Sequence, residues 1–435
     1  MMGTWEISLI GLGALLALMM AGLQIGFAML VVGAAGIAAI IGPKAALGML
    51  GQVPAADTMS YTLSVLPMFV LMGVFVDRGG LSQELFDACQ GFLGGQRGGL
   101  AMATIAACGG FSAVCGSSLA TTGTMGKVAI PSMRRYGYAD SLAAGTVTAG
   151  GTLGILIPPS VILVLYGIMT GTDIGLLFIA GLLPGLIAIT LYILTIAVLT
   201  RRRPELGPSV ALPPMRERLI RLRRVFPVLV LFVVIIGGIY MGLFTPTEAA
   251  GVGSFGALLF AMWRRTLTFQ QFIDCLVESA RITAVLFIVL IGALLFSNFV
   301  NLAGLPNALQ ALVQDLGLSP LATIAIMMVM YLIMGCFLES LSMMLLTVPI
   351  FFPMVMGLGY HPIWFGIIVV MVMELALITP PVGLNLFVLK STAPDISLGT
   401  IYRGVMPFVL VDIFRLTLFI LVPSIILILP ELARI

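Results

Sequence analysis

Apolar residues fill most of the chain in long runs, and polar residues fall into short interruptions between them. A bilayer-spanning helix needs about 20 predominantly apolar residues. Runs of that order lie at 6–22, 23–41, 59–76, 138–168, 175–200, 225–242, 248–263, 282–300, 362–390 and 404–429. Two further apolar segments, 100–133 and 321–356, are too long for one helix. They carry Gly, Ser or Glu at the middle, as "GGFSAVCGSSLATTGTMG" and "MGCFLESLSMML". Two of the spans are themselves interrupted by adjacent prolines: Pro158-Pro159 in "TLGILIPPSVILVLYG" and Pro380-Pro381 in "ELALITPPVGLNLFVLK". Proline removes an amide donor and clashes with the preceding turn. Each of these spans is therefore expected to be two half-helices joined by irregular backbone, with Gly150 to Gly154 unwound in the first.

Basic residues orient the spans, because short cytoplasmic loops are enriched in Lys and Arg. Residues 201–224 carry eight arginines and are placed in the cytoplasm. Arg264 and Arg265 mark another inner end. Arg97 precedes 100–133, and Arg134 and Arg135 follow it, so that segment reads as a re-entrant hairpin entering from the cytoplasm. Residues 321–356 lie between the charge-poor stretches 301–320 and 357–362 and read as a hairpin entering from outside. Counting from these anchors puts the amino terminus outside. Its "MMGTWEISLIGLGALLALMMAG" lacks a basic leader region and a clear cleavage site, so it reads as a first membrane helix, not a signal peptide.

Each half then runs three spans, a hairpin, a broken span and a final span, with opposite orientations. That is the signature of an inverted repeat. "VAIPSM" after the first hairpin tip echoes "LTVPIFFPM" after the second. "LSQELFDACQGFLGG" and "TFQQFIDCLVESARI" alternate acids with bulky apolar residues at helical spacing. They read as interfacial amphipathic helices, one per half, or alternatively as simple linkers.

Composition narrows the function. Of the 435 residues, 60% are hydrophobic and 9% charged, against about 25% charged in a soluble domain. The fold class is an all-α polytopic membrane protein. The net charge of +3 says little about partners, because the charges are localised; no nucleic-acid partner is expected. One histidine, five cysteines without a CxxC pair, and no glycine-rich phosphate loop speak against a structural metal, a cofactor or direct ATP use. An intramembrane hydrolase would need a His/Asp/Ser or metal constellation, and one peripheral histidine with no paired catalytic acids on a common face argues against it.

Broken helix inside a bilayer is tolerated only where protein or a cavity surrounds it, because an unpaired carbonyl in lipid is costly. Freed carbonyls, hydroxyls and a carboxylate suit a hard cation such as Na⁺, and helix termini add partial charges. The first half offers Ser112, Gly116, Ser117, Ser118, Thr121 and Thr122 at the hairpin tip, with Gly151, Thr152 and Gly154 at the break. The second offers Gly335, Glu339, Ser340 and Ser342, with Thr379, Pro380, Val382 and Gly383. Each tip meeting its own break would make one ion site, with solute between or beside the two. Ser118, Thr152, Glu339, Ser340 and Ser342 are the candidate solute contacts.

Small residues also serve close helix packing; the same device found twice favours a site. Intramembrane acids are functional by default, which singles out Glu339 on a hairpin tip. Glu374 is either a proton or ion partner or a structural hydrogen bond. Asp412 and Arg415, three apart, are expected to pair on one helix face. His361 reads as a loop residue, and Lys127 as a snorkelling side chain.

"TLGILIPPS", "FTPTEAAGVGSFGALL", "LSVLPMFVLMGVFVDRGGLS" and "ITPPVGLNLFV" resemble, in order and over nearly the whole chain, the large membrane subunit of tripartite ATP-independent periplasmic (TRAP) transporters. The resemblance implies a member of the ion-transporter superfamily: a secondary importer, usually Na⁺-coupled, in the bacterial inner membrane. A periplasmic binding protein would deliver an organic acid, such as a C4-dicarboxylate or sialic acid. A small four-helix membrane subunit would enlarge the scaffold and, for this unfused-looking chain, would be a separate partner. Hairpins and broken spans would form a transport domain moving like an elevator.

Carried over by motif, the sodium sites fall on Ser112–Thr122 with Gly151–Gly154 and on Gly335–Ser342 with Thr379–Gly383, Glu339 supplying the acid that family members often carry there. The implied division is 1–80 scaffold, 81–98 interfacial helix, 99–174 transport domain, and 175–265 scaffold with its 201–224 loop. Then follow 266–281 interfacial helix, 282–319 scaffold helix and loop, 320–392 transport domain, and 393–435 final scaffold helix. A self-sufficient anion–sodium symporter of the same superfamily is the alternative.

Overall fold

The computed structural model describes residues 4–433. Among them are twenty α-helices and no strand. The chain opens with α1 (Thr4–Met20), α2 (Ile25–Ile41), α3 (Pro43–Thr58) and α4 (Val65–Arg78), followed by the short amphipathic α5 (Leu81–Leu93). A helical hairpin of α6 (Gly99–Cys115) and α7 (Ser118–Arg135) comes next. The interrupted pair α8 (Asp140–Thr152) and α9 (Val161–Thr170) and the long α10 (Ile174–Arg202) complete this run.

α11 (Met215–Tyr240), α12 (Pro246–Trp263) and α13 (Phe269–Ala303) precede the short α14 (Leu305–Asp315). A second hairpin, α15 (Pro320–Met334) and α16 (Ser340–Gly357), is followed by the interrupted pair α17 (Pro362–Ile378) and α18 (Leu384–Thr392). α19 (Leu398–Leu421) and α20 (Ser424–Ala433) end the described chain. Both Pro-Pro peptide bonds are cis. Five helical stretches are long and apolar enough to cross a membrane: Tyr61–Arg78, Ile174–Arg202, Phe269–Ala303, Ser340–Gly357 and Leu398–Leu421. Seven shorter apolar helices accompany them.

The helix pairings fall into two groups, which meet where α4 and α5 pack on α6 and α13 packs on α16. In one, α2 lies along α13 and α12 along α4, with α1, α3 and α11 on the outside. In the other, α8 is wrapped by α6, α7 and α19, while α17 is wrapped by α15, α16, α10 and α19. Glycine makes the closest approach possible. A β-carbon on Gly145 or on Gly404 would run into the other helix's backbone, so α8 and α19 touch main chain to main chain. At the basic end of this group, Arg134 binds Asp140 bidentately at 2.7 and 2.9 Å and Asp395 at 2.5 Å. The Arg134 guanidinium holds the Asp395 carboxyl below its usual range.

Several elements differ from the sequence expectation, each for a physical reason. Residues 266–281 are not a separate interfacial helix. Thr268 and Gln271 form a capping box, and α13 runs unbroken from there through the apolar span. The element that precedes the second hairpin, as α5 precedes the first, is α14, which was read as loop. Its apolar residues Leu305, Leu309, Leu312 and Val313 recur at helical spacing, but it carries too little charge to stand out. Residues 43–58, left unassigned, form α3, which Pro43 starts at a position where proline suits a helix. The last span is divided at Val422–Pro423.

Gly150 and Gly151 do not unwind. They stay helical because Cys108 and Thr122 pack against them where a side chain would stand. The irregular stretch instead begins with one 3₁₀ turn at Leu153–Ile155 and runs to Ser160. Finally, α10 and α19, assigned to the scaffold by sequence, pack with the hairpins and broken helices.

Candidate functional site

The first hairpin tip is built by three residues. α6 stops at Cys115, and Gly116 takes φ +65°, a left-handed conformation glycine adopts without strain. Ser117, in extended backbone, then starts α7 by accepting the Ala120 amide on its Oγ at 3.4 Å. Thr121 Oγ1 donates to the Ser117 carbonyl at 2.8 Å.

This tip rests on the first break. A β-carbon on Gly154 would lie 2.6 Å from the Ser117 carbonyl oxygen and 3.0 Å from the Ser118 nitrogen, and one on Gly116 would lie 3.0 Å from the Pro159 carbonyl oxygen. Only glycines let the two irregular backbones meet. Ser160 secures the far side: its Oγ donates to the Ile155 carbonyl at 2.5 Å and accepts the Leu163 amide at 3.3 Å, capping α9. Ser112 and Thr122 are fully buried on either side of the tip, and their hydroxyls have no hydrogen-bond partner. Gly116, Ser117, Ser118 and Thr122 of the tip are thus brought to Gly151 and Gly154 and the break.

The second constellation is divided. Gly335 packs on Ala376 of α17, so its hairpin does approach its own broken helix. Glu339, Ser340 and Leu341, however, face a cavity of about 530 Å³ shared with the first tip. That cavity is lined by Gly116, Ser117 and Ser118 on one side and by Glu339 and Ser340 on the other. α4 (Gly73, Asp77, Arg78) and α13 (Glu278, Arg281) close it.

Ser342 donates to Glu339 Oε1 at 3.3 Å and orients the carboxylate from outside the lining. Thr152 also lies outside it; its buried hydroxyl donates to the Ala149 carbonyl at 2.8 Å. Thr379, Pro380, Val382 and Gly383 do form the second break but do not line this cavity. There Thr379 Oγ1 donates to the Leu375 carbonyl at 2.6 Å, and the Tyr402 hydroxyl donates to the Pro381 carbonyl at 2.6 Å.

The cavity wall contains charges that sequence reading passed over. Arg78 pairs with Glu278 at 3.2 Å across α4 and α13. Arg78 ends α4 and Glu278 lies among the polar residues of the first turns of α13, so neither gave a local signal that it would face the hairpin tips. Glu374 does not line this cavity and pairs with other buried charges. It binds Arg415 at 2.6 Å, and Arg415 also binds Asp412 at 3.0 Å. Asp412 accepts the Tyr192 hydroxyl at 2.6 Å. This fully buried network bolts α17, α19 and α10 together. His361 begins α17, accepting the Ile363 amide at 3.2 Å. Among the described residues no group of acids, histidines and cysteines could hold a metal ion.

Comparison with known proteins gives one consistent answer. Residues 12–425 match the family model "Tripartite ATP-independent periplasmic transporter, DctM component". The chain is 38% identical over 372 residues to the C4-dicarboxylate TRAP transporter large permease protein DctM of Pseudomonas aeruginosa, covering 85% of this chain and 86% of that protein. It is 35% identical over 419 residues to the sialic acid TRAP transporter large permease protein SiaM of Vibrio cholerae, covering 96% and 97%. Among solved structures, the YdaH transporter of Alcanivorax borkumensis shares the fold with a TM-score of 0.63 at 16% identity, covering 86% of this chain and 88% of that one. Carried by these matches, the chain belongs to the DctM family of TRAP transporter large permeases, a family of multi-pass membrane transport proteins.

Proposed function

We propose that this chain is the permease through which an organic acid enters the cell by symport with Na⁺ across the inner membrane. The observation that carries the reading is the cavity walled by both hairpin tips, with the first tip seated on its break and two hydroxyls beside it unpartnered. The hydroxyls and backbone oxygens gathered at the first tip suit a hard monovalent cation. The first tip with Gly151–Gly154 holds one cation, and Gly335–Ser342 with Thr379–Gly383 a second. Ser117, Ser118, Glu339 and Ser340 face the solute.

The two runs of elements are halves of an inverted repeat. The hairpin body, including α10 and α19, slides against α1–α4 and α11–α13. Relatives named for C4-dicarboxylates, sialic acid and 2,3-diketo-L-gulonate support an acidic solute. A relative is named as a DctMQ permease protein, in keeping with a small membrane subunit as partner. A periplasmic binding protein hands over the solute.

Uptake by proteoliposomes holding this chain and its small subunit tests the reading, with succinate and N-acetylneuraminate as probes, each presented with a matching binding protein. Accumulation requires the binding protein and an inward Na⁺ gradient. Accumulation without the binding protein would indicate a self-sufficient symporter, and indifference to Na⁺ would refute the coupling.

A further inference from the structure

A carboxamide just past the second break has no partner. Asn385 lies in the first turn of α18 and is fully buried, and neither its Oδ1 nor its Nδ2 makes a hydrogen bond. A buried polar group left unsatisfied costs about 1–3 kcal/mol, so its presence here calls for a ligand.

The packing of α18 says where that ligand sits. Val388, Leu389 and Thr392 share the Asn385 face at helical spacing. They pack on two glycines of α7. A β-carbon on Gly123 would stand 3.6 Å from Val388, and one on Gly126 would stand 3.3 Å from Leu389 and 3.2 Å from Thr392. The two helices therefore run past each other in the same direction. Extending the register back one turn brings Asn385 level with Leu119 and Ala120, just past the Ser117–Ser118 tip and within one turn of Thr122, whose own hydroxyl is unpartnered. Thr122 borders Gly151, beside the first break. Of the buried groups without a hydrogen-bond partner outside the Glu374–Arg415–Asp412 network, Ser112, Thr122, Thr146 and Asn385 lie on the packed set α6, α7, α8 and α18, while Ser279 and Thr283 lie on α13 and Glu84 on α5.

We infer that Asn385 is a ligand of the cation held at the first hairpin tip, so that this site draws oxygens from both halves of the chain. The inference rests on the reading that Na⁺ binds at that tip. A carboxamide and hydroxyls without a carboxylate match a monovalent cation better than a divalent one, which gathers several carboxylates. Because α18 begins directly after Thr379–Gly383, a cation held by Asn385 also fixes the second break. Filling the first site then favours filling the second.

The test is thermal stabilisation of the purified full chain by NaCl, with choline chloride at equal ionic strength as control. Wild type is stabilised by Na⁺ with a saturating midpoint. Asn385→Ala raises that midpoint about tenfold, the order expected when support for a bound ion is removed. Asn385→Asp, which puts a charge beside the cation, lowers it. If wild type shows no Na⁺ stabilisation over choline, the Na⁺ reading itself fails. If wild type responds and Asn385→Ala keeps its midpoint, only the role of Asn385 fails, and water alone satisfies the amide. Should Asn385→Ala not fold, Asn385→Asp decides: an unchanged midpoint overturns the inference.

Discussion

Replacing Arg415 by methionine isolates what the buried ion network does for the hairpin body. The guanidinium lies between Glu374 and Asp412, at 2.6 and 3.0 Å, and all three side chains are at most 1% exposed. Removing it strands two carboxylates in an apolar interior. Breaking a buried pair by deleting one partner costs about 3–5 kcal/mol, against about 0–1 kcal/mol for an exposed pair. Tyr192→Phe removes a single hydrogen bond to Asp412 and should cost about 1.5–3 kcal/mol. The combination Glu374→Leu, Asp412→Leu and Arg415→Met leaves no charge behind, and replacing a whole buried network by apolar residues is often neutral or stabilising. Resistance of the purified chain to unfolding by SDS should therefore rank wild type and the triple variant highest, Tyr192→Phe next and Arg415→Met lowest. Equal resistance of Arg415→Met and wild type, or a triple variant no better than the single one, would refute the reasoning.

Three further outcomes follow from the site. Gly154→Ala forces a β-carbon to 2.6 Å from the Ser117 carbonyl oxygen; overpacking of this kind costs about 1–3 kcal/mol. Initial uptake should drop while membrane expression persists, and unchanged uptake would show that the tip does not bear on the break. Glu339→Gln keeps the shape but removes the only charge that a hairpin contributes to the cavity wall. Na⁺-driven uptake should fall by about tenfold or more, and an intact rate and Na⁺ midpoint would exclude the carboxylate from the site. Glu278→Gln opens a half-exposed pair with Arg78, so stability should change by less than about 1 kcal/mol; a large drop in melting temperature would count against that ranking.

Much of this architecture was legible in the chain because backbone chemistry writes itself into sequence. Adjacent prolines cannot sit in an unbroken helix, so both interruptions were located, and glycine and serine in the middle of apolar runs marked both tips. Glycine's double meaning caused the error at Gly150 and Gly151. The same residue unwinds a helix or lets another helix approach, and only the position of Cys108 and Thr122 tells which. Asp412 and Arg415 paired as their spacing required, but Glu374, distant in sequence, joined them through packing alone. α14 lacked the charge that reveals an amphipathic helix, and the placement of α10 and α19 depends on which faces they bury. Asn385 was one amide in an apolar run, without a local pattern to set it apart.

The central claim is that the hairpin body moves past α4 and α13 during transport, and the structure supplies a direct means of stopping it. Gly73 of α4 faces the first hairpin tip; a β-carbon there would lie 3.7 Å from the Cα of Cys115, a native free cysteine. A Gly73→Cys substitution sets a second cysteine against the backbone of Cys115, and mass spectrometry of the oxidised protein shows whether the two are bridged. Oxidation of this variant in proteoliposomes should abolish Na⁺-driven uptake and reduction should restore it, while Gly73→Cys combined with Cys115→Ser stays active under both conditions. Full uptake by the quantitatively cross-linked protein would contradict the account, because a body pinned to α4 could not carry its cargo past it.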